Sequence, residues 1–316
     1  MEAVHKPVLV KECLKILKPE GSDNFFVDGT LGEGGHMEAF LKTYPELNAI
    51  GLDVDASIQA KARERLLCFG DRVRFHLGWS DNFFKSYPVD LPRPTLILLD
   101  LGVSMFHYTE SGRGFSFSAD EPLDMRLDTS LNGSAADIVN FYSEKELADL
   151  IFNYSEERYS RKIAAKIVEA RKNKPFQTSK ELADCIYYAV PQRLRYGKIH
   201  PATKTFQALR IAVNGELKRL PVLLECAFSI LAPNGKLGVI SFHSIEDRIV
   251  KLYFRELGKS CTCSDNVPIR KYGGAKAVIL TKKGVTASDE EIKINPSSRS
   301  ARLRSVQKID YSENLK

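Results

Sequence analysis

The sequence lacks the features that would place the chain in a membrane or outside the cell. No apolar run approaches the roughly 20 residues that a membrane-spanning helix needs, and the stretch from Met1 to Pro7 has no apolar signal core. The six cysteines are scattered over 316 residues and do not form the spacing of a disulfide framework. These absences exclude a membrane span and a disulfide-stapled secreted domain, and we expect a reducing, cytoplasmic setting.

Metal-ligand patterns and extreme charge are also missing. Cys261 and Cys263 form a single C-x-C pair, which supplies two ligands where structural zinc takes four, so we expect no metal site. We find no internal repeat and no low-complexity tract. The net charge is only +6, and the distribution of the basic residues therefore matters more than their sum.

What the sequence does contain is organised around one glycine-rich turn. Residues 25–41 predict a short buried strand ending at Asp28, then the turn, then a helix from His36 to about Leu41. Glycine lets the backbone approach a ligand and adopt positive φ, and the free N–H groups of a helix start favour a negative group. The glycines of the turn stand at positions 29, 32, 34 and 35.

The next strand indicates which ligand this turn holds. It ends in Asp53, about 20 residues on, where an acid reaches a ribose diol in doubly wound sheets. The dinucleotide fingerprint G-x-G-x-x-G needs a third glycine, and Met37 stands there; no Gly-Lys-Ser/Thr of a phosphate loop follows. S-adenosylmethionine (SAM) carries no phosphate, so a looser turn suffices. The pattern favours SAM over a nicotinamide cofactor, with a tight turn that binds nothing as the alternative.

The hydrophobic pattern predicts an α/β fold with an insertion. Strands separated by helices predict a parallel sheet with helices on both faces, whereas only helical patterns occur between about Tyr108 and Lys198. We therefore expect a SAM-binding domain over 1–107 and 199–316, and an inserted helical substrate-recognition domain over 108–198. A long helix from Ala202 to about Leu220 and an antiparallel strand pair over 277–282 and 300–306 would complete the first domain. The predicted helix starts are at Asp55, Ser143, Ser179 and Ser244.

Candidate catalytic residues follow the strand ends, where open α/β sheets bind ligands. Asp28 is one of these strand-end acids. Asp100 can accept from an adenine or a substrate amino group, or serve only as a turn residue. His243 can orient or deprotonate a substrate, or merely bond the backbone of its turn. His36, within the glycine turn, either contacts the ligand or packs beneath the first helix. Methyl transfer to nitrogen depends mostly on alignment, so a strong general base is unnecessary.

Basic residues cluster in the helical half and in the tail. Three basic runs with interleaved aromatics (Tyr159, Tyr196 and Phe206) favour a nucleic-acid partner, RNA in particular. The alternative is a solvated charged face. The candidate RNA contacts are Arg158, Arg161, Lys162, Lys166, Arg193, Arg195 and Lys198.

Seven motifs in order give the chain a family resemblance that runs nearly end to end. It resembles the MraW (RsmH) family of bacterial 16S rRNA cytidine N4-methyltransferases. The resemblance implies a Rossmann-like SAM-dependent methyltransferase domain with a helical insertion, S-adenosyl-L-methionine as cofactor, and one cytidine in the P-site region of the small ribosomal subunit as substrate. The motifs occupy residues 29–36, 98–104, 113–117, 122–126, 200–210, 241–248 and 295–300.

The resemblance also implies individual site residues. It places SAM contacts at Gly34, Gly35, His36, Asp53 and Asp100, and the aromatic beside adenine at Trp79, where the family usually has phenylalanine. Two departures stand out. His107 replaces a glutamine that contacts SAM in the family, and residues 269–271 replace the second C-x-C pair that many members carry.

Three other functions remain open from the sequence. One is a nicotinamide oxidoreductase, and another is a SAM-binding ribosome-assembly factor with little or no turnover, which the altered segment 105–109 would fit. A DNA amino-methyltransferase is a third, although the Asp/Asn-Pro-Pro-aromatic motif is absent after Leu99. The sequence leaves the oligomeric state open.

Overall fold

A computed structural model describes residues 6–197, 199–259 and 274–311. The chain divides into a sheet unit, residues 1–103 with 219–316, and a helical unit, residues 104–218. The helical unit therefore extends about 20 residues beyond the expected end at 198. Lys198, Cys261, Cys263 and the segment 269–271 lie outside the described residues.

The sheet unit has the expected Rossmann-like α/β architecture. The strand order is β3-β2-β1-β4-β5-β8-β6, with β7 paired to β8. The first five strands run parallel, and β8 runs antiparallel to β5 and β6, which confirms the predicted antiparallel pair. The strands are β1 (Phe25–Asp28), β2 (Asn48–Asp53), β3 (Val73–Leu77), β4 (Leu96–Asp100), β5 (Lys236–Ser241), β6 (Ala277–Ile279), β7 (Val285–Thr286) and β8 (Arg302–Lys308).

The strand register brings the carboxyl ends of the parallel strands to one edge of the sheet. Asp53 pairs with Leu77 between β2 and β3, and Asp100 pairs with Ile240 between β4 and β5. The central strands β1, β4 and β5 are buried along almost their whole length, as is typical of parallel strands covered on both faces. The strand-end acids are thus collected at one edge, which we call the carboxyl edge.

Helices of the sheet unit cover both faces of the sheet. Phe40 of α2 stacks on Phe26 of β1 with ring centroids 4.6 Å apart, inside the core. Asp55 caps α3 as predicted, accepting from the Ser57 amide at 2.9 Å. The helices are α1 (Val10–Ile16), α2 (Gly35–Thr43), α3 (Ala56–Leu66), α4 (Ser80–Lys85), α12 (Glu216–Ile230), which starts within the helical unit, α13 (Ser244–Leu257) and α14 (Asp289–Ile294).

The described part of the helical unit contains no strand, only an isolated bridge between Pro122 and Thr178. Ser143 begins a helix with a capping box as predicted, whereas Thr178, not Ser179, caps α9. The helices are α5 (Met105–Thr109), α6 (Ala135–Phe141), α7 (Glu144–Ser155), α8 (Ser160–Arg171), α9 (Ser179–Ala189), α10 (Gln192–Arg195) and α11 (Ala202–Asn214).

The expected long helix from Ala202 to Leu220 is wrong. It breaks at Gly215, which takes the left-handed conformation with φ 64° and ends α11. The apolar face of α11 packs against α7 of the helical unit, which is why the helical unit extends past residue 198. Among the described residues no helix is long and apolar enough to cross a membrane.

Candidate active site

The glycine turn combines left-handed backbone with close packing. Gly32 and Gly34 have φ of 53° and 77°, which an L side chain rarely adopts. A Cβ on Gly34 would lie 3.0 Å from Leu66 Cδ1, and one on Gly35 would lie 2.9 Å from Pro7 Cγ. No side chain caps the start of α2, so its first N–H groups suit a small anion such as a carboxylate.

Asp53 is held beside this turn by backbone groups. Its Oδ2 accepts from the Gly32 amide at 2.8 Å, and its Oδ1 accepts from the Asp55 amide at 2.9 Å. The Asp53 carbonyl in turn accepts from the Gly78 amide at 2.8 Å. These contacts fix an acceptor carboxylate at the tip of β2, next to the glycine turn, where the sequence predicts a ribose contact.

Asp28 and Asp100, which end the neighbouring strands β1 and β4, are linked through Thr30. The Thr30 amide donates to Asp28 Oδ1 at 3.2 Å, and the Thr30 hydroxyl accepts from the Asp100 amide at 2.5 Å. Burial raises the pKa of Asp28 to about 7. Burial and the nearby Glu246 carboxylate raise the pKa of Asp100 to about 7. Within the described part of the chain, Asp28 Oδ2 is buried without a hydrogen-bond partner.

The His36 imidazole lies between the Val8 carbonyl oxygen and the Asp100 carboxylate. Its Nε2 lies 2.8 Å from the Val8 carbonyl oxygen, and its Nδ1 lies 3.7 Å from Asp100 Oδ2. Burial lowers the pKa of the imidazole, so it is neutral at physiological pH. A neutral ring that donates from Nε2 to Val8 leaves Nδ1 as a lone pair facing Asp100.

Trp79 stands at the same edge, in the turn after β3. The following residue, Ser80, donates its hydroxyl to the Gly29 carbonyl and so ties this turn to the glycine turn. The guanidinium carbon of Arg219 lies 4.1 Å from the centroid of the indole. Arg219 also donates to both carboxylate oxygens of Asp81, at 3.0 and 2.9 Å.

His243 caps α13 in place of the predicted Ser244. Its Nδ1 accepts from the Glu246 amide at 3.4 Å, and its Nε2 lies 3.1 Å from Glu246 Oε1. The buried Glu246 carboxylate accepts from the Phe242 amide at 3.0 Å. The Phe242 ring packs so closely on Gly102 that a Cβ there would lie 2.5 Å away. The Nδ1 contact makes His243 the cap of this turn. Its buried Nε2 has no hydrogen-bond partner within the described residues, and its role in catalysis stays a prediction.

His107 and the basic candidates belong to the helical unit. The buried His107 ring packs against Phe106 and Phe115, with centroids 5.5 and 5.2 Å away. Its contact with a cofactor stays a prediction. Arg158 precedes α8, whereas the exposed Arg161, Lys162 and Lys166 lie on α8.

The remaining basic candidates differ in their surroundings. Lys166 pairs with Glu169 at 2.9 Å. Arg193 is exposed, whereas Arg195 is half-buried and donates to the carbonyls of Tyr188 and Val190, each at 3.2 Å. No group of three or more metal-ligating side chains occurs in residues 6–197, 199–259 and 274–311.

Two residues of the site were not among the candidates from sequence. Glu246 follows His243 by three positions, and that spacing was interpreted only as part of a helix start. Arg219 is 140 positions from Trp79 along the chain, and no local pattern links the two. The structure therefore assembles the glycine turn, Asp28, Asp53, Trp79, Asp100 and the His243 turn at the carboxyl edge of the sheet unit.

Comparison with known proteins places this site in a family context. Residues 2–309 match the model of the MraW methylase family. A protein of Treponema denticola named Ribosomal RNA small subunit methyltransferase H is 73% identical over 99% of this chain and 100% of its own length. A protein of the same name from Treponema pallidum is 46% identical over 96% of this chain and 92% of its own length. The crystal structure of an rRNA methylase from Streptococcus thermophilus superposes with a TM-score of 0.40 at 11% identity, covering 98% of this chain and 100% of that one.

Proposed function

The chain belongs to the MraW methylase family, and from that premise we propose that it transfers a methyl group from SAM to the N4 amino group of a cytidine in small-subunit 16S rRNA. Two relatives with high coverage are named as small-subunit rRNA methyltransferases. The observation that carries the proposal is the gathering of three carboxylates, those of Asp28, Asp53 and Asp100, around the uncapped start of α2.

The chemistry of these groups fits SAM better than a dinucleotide. SAM has two positive groups, the sulfonium and the ammonium, and one carboxylate. Three acids at the carboxyl edge suit the positive groups and the ribose hydroxyls, and the start of α2 suits the carboxylate. The same acids would repel the negative charges of a dinucleotide's pyrophosphate. The buried Asp28 Oδ2, which lacks a hydrogen-bond partner in the described chain, supplies an acceptor that a bound ammonium or water would satisfy.

Individual residues then take the following roles. Asp53 accepts from the ribose hydroxyls, Trp79 provides a face for the adenine, and Gly34 and Gly35 let the backbone of the first turn of α2 meet the methionine carboxylate. His36 lies beneath this edge, with its Nε2 hydrogen-bonded to the Val8 carbonyl oxygen. His107 is the further cofactor contact that the family resemblance implies.

The reaction requires the protein to align the N4 nitrogen with the methyl group and to provide one acceptor for the N4 proton. Bound SAM supplies a methyl group activated by its positive sulfur. When SAM is bound, the N4 nitrogen would take the methyl group, S-adenosylhomocysteine would be the leaving group, and N4 would lose one proton. Asp100 is the group we assign to accept the N4–H hydrogen bond and then that proton, because a carboxyl with a pKa of about 7 is ionised in a large fraction at neutral pH. The His243 turn positions the segment that follows Asp100.

The helical unit is the part that we propose recognises the RNA. The exposed side chains Arg161, Lys162, Lys166 and Arg193 provide positive charge for the phosphate backbone. Arg158 precedes this face, Arg195 is partly engaged with backbone carbonyls, and Lys198 lies outside the described residues.

A binding experiment separates this function from a nicotinamide enzyme. Calorimetric titration of the full chain with SAM, its demethylated product S-adenosylhomocysteine and NAD should show saturable one-to-one binding for the first two and none for NAD. Binding of NAD without SAM would overturn the proposal.

A further inference from the structure

Two tyrosines are exposed near the short helix α10, Tyr188 in the last turn of α9 and Tyr196 directly after α10. Tyr188 is 66% exposed and Tyr196 is 77% exposed, although a phenol ring normally gains by burial. We call Tyr187, Tyr188, Tyr196 and Arg195 the tyrosine platform. Exposed aromatic rings in a group mark an interaction surface more often than a chance arrangement does.

Contacts among the described residues hold Tyr187, Tyr188 and Arg195 of the platform in place. Arg195 donates to the carbonyls of Tyr188 and Val190, and its guanidinium carbon lies 5.3 Å from the Tyr188 centroid and 5.6 Å from the Tyr187 centroid. Tyr187 stacks on His200 at 5.8 Å with an interplanar angle of 21°. His200 in turn packs on Phe117 at 4.6 Å. These contacts anchor Tyr187 and Tyr188, while the rings of Tyr188 and Tyr196 stay exposed.

The charge around the platform is positive. Residues 192–204 include four basic side chains and no acidic one, and the exposed Arg193 belongs to α10. Helix α9 carries two acids. Glu181 pairs with Lys174 at 2.5 Å, and the charge of Asp184 partly offsets the lowering of the His200 pKa by burial. Lys204 lies 4.0 Å from Glu157. Positive charge beside exposed aromatic rings is the pattern of surfaces that bind single-stranded nucleic acid, where bases stack on the rings and cations meet the phosphates.

We propose that the tyrosine platform binds unpaired nucleotides of the RNA substrate, with bases stacked on Tyr188 and Tyr196 and the backbone near Arg193. This rests on the proposed function only in taking rRNA as the natural ligand. Stacking requires a free base face, and bases inside a duplex do not offer one. The platform therefore gives the helical unit a preference for single-stranded over double-stranded RNA, which a charged face alone would not provide.

The test measures binding of the full chain to a fluorescein-labelled 12-nucleotide single-stranded RNA and to the same RNA annealed to its complement, by anisotropy over a series of salt concentrations. Tyr188→Ala and Tyr196→Ala should each weaken single-strand binding by about tenfold. They should leave the salt dependence of the affinity unchanged, because they remove no charge. Tyr188→Phe should keep most of the affinity.

Two controls separate stacking from charge and from a general surface effect. Arg193→Gln should reduce the slope of log K against log salt by roughly 0.7, the contribution of one phosphate contact on a single strand. Phe141→Ala removes an aromatic that is 79% exposed on α6 and should leave RNA binding unchanged.

Three results would overturn the proposal. These are unchanged single-strand affinity in the tyrosine variants, an equal loss for the duplex and the single strand, or a loss that appears only with intact ribosomal subunits, which would indicate a protein partner. Methyl transfer is measured in parallel. Tyrosine-dependent RNA binding without methylation would refute the proposed function alone, and methylation without tyrosine dependence would refute the platform alone.

Discussion

The guanidinium carbon of Arg219 lies 4.1 Å from the centroid of the Trp79 indole, and the same guanidinium makes two hydrogen bonds to Asp81. This arrangement fixes the plane of the indole from one side. We place the adenine beside this indole. Trp79 is also the only tryptophan in the chain, so its fluorescence reports on this single location.

Addition of SAM or S-adenosylhomocysteine should therefore change the intrinsic tryptophan fluorescence in a saturable way. Arg219→Met keeps most of the side-chain volume but removes the charge and the contact with Asp81. We expect it to weaken cofactor binding about three- to tenfold, the usual worth of a partly exposed cation–π contact. Fluorescence and calorimetric titrations should agree on the dissociation constant.

Arg63→Met is the matched control for this prediction. Arg63 lies 4.3 Å from the Phe75 ring in the same sheet unit. Arg63→Met therefore removes a similar cation–π contact, but not the one at Trp79. Equal losses of SAM affinity in the two variants would contradict the placement of adenine on Trp79.

The second prediction concerns Asp53. Asp53→Ala should weaken SAM binding by about tenfold to a hundredfold, because hydrogen bonds from hydroxyls to a charged group are among the strong ones. Asp53→Asn should lose less, since an amide oxygen can still accept from the Gly32 amide. Calorimetry gives the affinities, and circular dichroism should show a folded chain in both variants.

Asp55 provides the control for the Asp53 variants. It caps α3 two positions away, so Asp55→Ala should lower the melting temperature through the lost cap and leave SAM affinity within about twofold. A SAM affinity that is unchanged in Asp53→Ala would refute the ribose assignment.

The third prediction follows from the buried carboxyl of Asp28. Burial raises its pKa from 3.8 to about 7, so the folded state holds a proton more tightly than the unfolded state does. The stability that this proton provides is fully present below the unfolded pKa and is lost as the pH rises through the folded value. Asp28→Asn should therefore be more stable than the wild type at neutral pH. The difference in the free energy of unfolding should grow between about pH 4 and 7 and then level off.

Thermal unfolding at pH 4.5 and pH 8 tests this directly. At pH 8 the variant should melt at least about 3 °C higher than the wild type, and the difference should shrink at pH 4.5. Asparagine can still accept from the Thr30 amide, so the comparison isolates the charge. A difference that does not depend on pH would show that Asp28 is not protonated in the folded protein.

The fourth prediction distinguishes the roles of His243 and Asp100. Asparagine is a strong N-cap, so His243→Asn should keep α13 capped and reduce kcat by about threefold or less. Asp100→Asn should reduce kcat by roughly tenfold or more, because it removes the proton acceptor. A large loss in His243→Asn with an unchanged melting temperature would instead make His243 a proton-transfer residue.

The pH profile provides an independent check on Asp100. Its pKa is raised to about 7, so kcat/KM for SAM should rise as the pH increases through that value, because only the ionised carboxylate accepts a proton. Asp100→Asn should flatten this limb of the profile. A wild-type profile that is flat between pH 5.5 and 8 would contradict the assignment.

Much of the sheet unit could be predicted because its signals are local. An apolar run that ends in an acid marks β1, β2 and β4, and glycines that must adopt positive φ mark the turn after β1. Thr178 and His243 show the limit of such signals, because a residue next to the predicted cap performs the same function. Imidazole is a rare cap, so the more frequent serine was favoured at position 244.

The extent of the helical unit and the Arg219 contact could not be predicted, for a different reason. The apolar face of α11 has the same spacing whichever unit it packs against, so the pattern alone did not assign it. Asn214 and Gly215 do form a turn dipeptide, and this was the one local signal of the break. The contact between Arg219 and Trp79 depends on the tertiary fold, and no sequence pattern links two residues so far apart along the chain.

The most direct test of the proposed function is methyl transfer to the ribosomal substrate. Purified protein is incubated with methyl-labelled SAM and small subunits from a strain that lacks the modification, and nucleosides of the 16S rRNA are analysed by mass spectrometry. The account predicts label in N4-methylcytidine at a single cytidine, and about tenfold to a hundredfold less label with Asp53→Ala at limiting SAM. Bound SAM with no label in the rRNA would contradict it and would favour an assembly factor that has kept the cofactor site without turnover.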